Sequence, residues 1–157
     1  MAVIAGRRFR SADLVLTGAG VAMLIDSLLP WYGYDASGWH PTYDGFQSGF
    51  LAFLPLLIVV LIAGTSAARA WSGTELGKLG GTALSWDAVF FLGDALAVLL
   101  VVLFWATLPS LIGVPTGAKA GTFIALLIIL VQAAGALLAL ASGGERFPFR
   151  LRRAAAS

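Results

Sequence analysis

Charged side chains disappear from four stretches of the chain, 12–29, 50–68, 88–108 and 120–141, apart from Asp13, Asp26 and Asp94. A helix rises about 1.5 Å per residue, so about 20 apolar residues cross a hydrocarbon core about 30 Å thick. All four runs are close to that length, and the connections between them are short enough to favour antiparallel neighbours. The pattern predicts an all-α protein, a transmembrane four-helix bundle in which residues 1–157 form a single membrane domain. Local signals mark the expected ends. Pro30 closes the first run, Pro55 predicts a mild kink or a late start in the second, and Pro109 stops the third. Ser85 is placed to cap the third helix, with Asp87 near its positive dipole end. The fourth run starts after Gly117 and ends at Gly143-Gly144. Trp71, Trp86 and Trp105 lie near run ends, where indole rings favour the membrane interface.

The whole chain is 59% hydrophobic and 11% charged, against about 25% charged residues in a soluble domain. The charge that remains is sorted. Arg7, Arg8 and Arg10 precede the first run, Arg69 and Lys78 lie in the second connection, and Arg146, Arg150, Arg152 and Arg153 follow the fourth. The first connection has no Lys or Arg and the third has only Lys119. Basic residues accumulate on the cytoplasmic side, so both termini are expected there, with 30–49 as an outer loop. The segment 142–157 mixes Arg with Phe and Leu, and is expected to lie on anionic inner-leaflet lipid rather than on nucleic acid. The first run is expected to be an uncleaved span, because no small-x-small cleavage site follows and the run ends in Leu28-Leu29-Pro30-Trp31.

Candidate chemistry is sparse. The chain has no Cys and one His, which excludes thiolate chemistry, disulfides and His-rich metal centres. Asp35, His40 and Asp44 lack metal-motif spacing, and no metal or cofactor is expected. The segment 73–79 resembles a phosphate loop only superficially, with one residue too few between its glycines and no hydroxyl after Lys78. Without a nucleophile–base pair, no enzymatic activity is expected.

Three intramembrane polar residues stand out. Asp94 lies about 10 Å inside the third span, where an ionisable group costs several kcal/mol unless paired, hydrated or protonated. It reads either as a proton or cation site or as a hydrogen-bonded tie to Thr17 or Gln132. Asp26 is near the outer interface, solvated by the loop or binding at the outer mouth. Gln132 is expected to hydrogen-bond between helices. In the outer loop Trp31, Tyr32, Tyr34, Trp39, His40 and Tyr43 form an aromatic set suited to recognising a partner, or to lying as a lid on the interface. Small residues give two helix faces, Gly121, Ala125, Gln132, Gly135, Ala136 and Ala139 in the fourth run and Thr17, Gly20 and Leu24 in the first, where close packing drives association in lipid.

The segment Leu28-Leu29-Pro30-Trp31-Tyr32, with Trp86-Asp87 later, resembles a pattern in small four-span membrane proteins of high-GC actinobacteria. The resemblance implies a multi-span protein of the bacterial cytoplasmic membrane and no activity, substrate or site residue. The expected function is that of a non-enzymatic subunit or scaffold of a larger membrane complex, partnered by another membrane protein or by further copies of itself. The alternative is a small proton-coupled carrier or channel using Asp94, with Asp26.

Overall fold

A computed structural model describes residues 2–4, 7–35, 38, 40–72, 85–108 and 114–142, with side chains from Arg10 to Ala141. Trp39, Lys78, the segment 73–79, Pro109 and the basic segment beyond residue 142 lie outside the described residues.

The described chain is mostly helical. Helix α1 covers Ser11–Asp26, α2 Phe50–Ser72, α3 Trp86–Ala106 and α4 Ala120–Ser142. Three of them, α2, α3 and α4, are long and apolar enough to cross a membrane. The first is shorter and ends at Asp26 rather than at the expected residue 29. With 16 residues it is about 24 Å long. It stops because Ser27, Leu28 and Leu29 leave the helix in tight turns before Pro30, with Ser27 Oγ donating to the carbonyl of Leu24 at 2.6 Å. The second helix starts at Phe50, directly after Gly49 with φ +86°, so Pro55 lies inside it and does not delay its start. The third is capped as its sequence predicts: Ser85 Oγ accepts the Ala88 N–H at 3.2 Å.

Each helix packs against two others, α1 on α2, α2 on α3, α3 on α4 and α4 back on α1, so the four close a ring. Gly20 lets α1 and α2 approach closely, since a Cβ there would lie 2.1 Å from the Cβ of Ala63. The ring holds two apolar layers. One, built around Met23, Val59, Ala97, Val101 and Ile129, is nearer one end. The other comprises Leu16, Ile62, Phe90 and Ala136.

Strands flank α1 on both sides along the chain. A hairpin, β1 (Ala2–Ile4) and β2 (Arg7–Phe9), precedes α1 and pairs antiparallel with Val3 opposite Arg8. After α1, β3 (Pro30–Tyr34), β4 (Thr42–Asp44) and β5 (Thr116–Ala118) form an antiparallel sheet in the order β4-β3-β5. Tyr32 pairs with Tyr43 on one side and Ala118 on the other. The expected outer loop is therefore a folded lid, tied by the central strand to the connection between α3 and α4.

Candidate functional site

The lid is built around Trp31. Its side chain is fully buried and meets Phe104 of α3 edge-on, ring centroids 6.0 Å apart. Its indole N–H donates to the Asp26 carbonyl at 3.2 Å, and its own carbonyl accepts the Thr122 hydroxyl at 2.6 Å and the Lys119 N–H at 2.8 Å. Gly121 and Gly45 make room for the ring: a Cβ on Gly121 would stand 2.5 Å from Trp31 Cδ1. Tyr32 stacks on Tyr43 at 4.7 Å, and Tyr34 meets both edge-on. Burial withdraws Trp31, Tyr32 and Tyr34 from the contact surface expected of the loop, because their faces are spent on the strands and on α3. Tyr43 is half-buried and His40 exposed. His40 lies 3.4 Å from Asp35, which also faces Lys119 at 3.4 Å. Asp44 accepts the N–H groups of Phe46 and Gln47, so its carboxylate closes the turn after β4. Burial of the Tyr32 phenol first, and the neighbouring phenols of Tyr34 and Tyr43 second, raise its pKa above the ordinary tyrosine value.

Inside the ring, Asp94 and Gln132 occupy the seam between the two apolar layers. On α3 the buried positions run Phe90, Asp94, Ala97; on α4 they run Ile129, Gln132, Ala136. Gln132 reaches across to α1 and α2, its amide donating to the carbonyls of Leu16 at 3.1 Å and Val59 at 3.2 Å. Its Oε1 has no partner, and neither carboxylate oxygen of Asp94 has one. The tie from Asp94 to Thr17 or Gln132 is thus not formed among the described residues. Asp26 is not solvated by the loop as expected. It is 2% exposed and both its oxygens lack partners, because the Trp31 indole turns to its backbone carbonyl instead.

The far end of the ring carries a constellation that the sequence reading missed. Arg69 of α2 reaches inward, pairs with Asp13 of α1, and lies 2.7 Å from Asp87 of α3. Ser66 also donates to Asp13 at 3.2 Å, and the guanidinium sits over the Phe90 ring at 5.6 Å. Counting Arg69 as a flanking charge and Asp87 as a cap hid the pairing, although an arginine one turn before the end of α2 can fold back onto the helix start beside it. The small-residue stripe of α4 is spent inside the ring, with Gly135 against Val15 of α1; on α1, Gly20 is closed by α2 while Gly18 faces open space.

No family model, curated protein or solved structure matches the chain.

Proposed function

We propose that the chain is a transmembrane four-helix bundle of the bacterial cytoplasmic membrane, both termini cytoplasmic and the sheet outside, acting without catalysis as a subunit or scaffold of a larger membrane complex. The observation that carries this reading is the division of side chains. The ionisable groups of the helices point into the ring, while large apolar side chains such as Ile25, Leu61, Leu99, Leu127 and Leu138 point out from all four helices. Such a surface belongs in lipid or against other apolar helices. The short first helix supports a partner: a span of about 24 Å in a core of about 30 Å leaves a thinned collar that a neighbouring protein can cover. With Trp31, Tyr32 and Tyr34 buried, contacts fall to the outer helix faces and to Tyr43, His40 and the exposed Phe46. Anionic lipid at the basic segment 142–157 completes the setting.

The buried, unpartnered carboxyls of Asp94 and Asp26 favour a second reading, a small proton-coupled carrier or channel. Purification in nanodiscs, with the mass and composition of the assembly measured, separates the two. A stoichiometric second protein supports the subunit reading; the chain alone or as a homo-oligomer, with lipid only, overturns it.

A further inference from the structure

The four helices contain five ionisable side chains, Asp13 and Asp26 on α1, Arg69 on α2, Asp87 and Asp94 on α3 and none on α4. All five are turned inward. Four carboxyls against one guanidinium leave the interior short of positive partners. The shortage is arranged in steps. Asp13 and Asp87 share Arg69 and so lie at one level. Counting helical rise, Asp94 stands about 10 Å beyond that level on α3 and Asp26 about 20 Å beyond it on α1. Asp94 and Asp26 are both buried with all carboxylate oxygens unpartnered, and Gln132 adds an unpartnered acceptor in the Asp94 layer. Among the described residues the upper two steps hold acceptors and no basic side chain, and the Trp31 indole N–H beside Asp26 donates to its backbone carbonyl at 3.2 Å. Water would satisfy the acceptors without cancelling charge, so the component that fits is a cation.

We infer that Asp26, Asp94 and the Asp13–Arg69–Asp87 group are successive stations for a small monovalent cation, a proton or sodium, along the interior of the ring. The inference rests on the carrier reading above and extends it from one acid to a path. Arg69 is the tethered cation of the last station. Asp13 is held by Ser66 as well as Arg69, whereas Asp87 is held by Arg69, so an arriving cation takes over Asp87 while the guanidinium stays on Asp13. At the sheet end the charged groups are Asp35, His40, Asp44 and Lys119, with Lys119 facing Asp35 rather than Asp26.

The test is flux into phosphatidylcholine–phosphatidylglycerol liposomes holding the full chain, with an entrapped pH dye for protons and radioactive sodium as the second arm. The expected result is flux of one of these cations, reduced about tenfold or more by Asp94→Asn and equally by Asp26→Asn. Flux that falls with Asp94→Asn but not with Asp26→Asn overturns the succession of stations and leaves the single-acid carrier standing. Absence of flux for both cations overturns both. Should Asp26→Asn fail to fold, dicyclohexylcarbodiimide on the unaltered protein decides. Modification of Asp26 and Asp94 must slow with sodium, or with rising pH when the cargo is the proton. An Asp26 that does not react, or reacts at a rate indifferent to both, overturns the path.

Discussion

At the scale of single residues, Arg69 carries the largest share of the interior electrostatics. Removing one member of a buried ion pair leaves the rest uncompensated and costs about 3–5 kcal/mol. Arg69→Gln, measured by reversible unfolding in bicelles, is therefore expected to destabilise by about 3 kcal/mol, and adding Asp13→Asn to recover part of that loss. The glycines give a contrast that geometry alone decides. Gly121→Ala drives a Cβ to 2.5 Å from Trp31 and 2.8 Å from the Pro30 carbonyl, with an expected cost of about 1–3 kcal/mol. Gly18→Ala meets nothing within 4 Å and is expected to stay within about 0.5 kcal/mol of the parent in the same unfolding measurement. Tyr32 supplies a pH signature. The chain has only three tyrosines, all in the lid, so phenolate absorbance reports on that lid alone. Because burial raises the folded-state pKa of Tyr32, its contribution to stability is fully present below the unfolded value near 10 and is lost as pH rises through the folded one. Spectrophotometric titration should show a late phase that Tyr32→Phe removes; three phenols ionising together at the ordinary value would refute it.

Among the elements, the helices were legible and the sheet was not. Long apolar runs fix where α2, α3 and α4 lie, and Ser85 marks the start of α3 with its own side chain. The first run misled because Leu28 and Leu29 continue the apolar pattern past the point where the backbone turns. The lid strands were hidden for a different reason. Pro30–Tyr34 pairs with 42–44 nearby but also with 116–118, and no local pattern announces a partner that distant. The same blindness assigned the aromatic side chains to a surface: a Trp between Pro and Tyr reads as a contact residue until Gly121 and Thr122 of another helix are seen to enclose it. Of the interior polar groups, Asp94 and Gln132 were visible as breaks in apolar runs, whereas the Arg69 pairing needs three helices at once. Thr122→Val tests the seam between lid and helix. It removes a 2.6 Å bond to the Trp31 carbonyl, with an expected cost of about 1 kcal/mol, and it should increase hydrogen exchange in β3 before that of the helices.

For the whole molecule, orientation is open to a direct check because the chain has no cysteine. A single cysteine at the exposed Gln47 should react with a membrane-impermeant maleimide added outside intact cells, and one at the exposed Arg10 only after lysis; the reverse pattern would invert the proposed topology. The lid also constrains how the protein can be made. Its central strand leaves the first helix early in synthesis, but one of its two neighbours is the stretch 116–118, which follows the third helix. In the proposed topology, one edge of β3 presents unpaired N–H and C=O groups to the far side of the membrane until α3 has been delivered across the bilayer. On that topology the β3–β5 pairing is a late step, waiting on the insertion machinery rather than on the strand itself. During that interval the nascent chain would be open to strand addition by a second copy, a hazard that the finished molecule, with both edges of β3 paired, no longer shows.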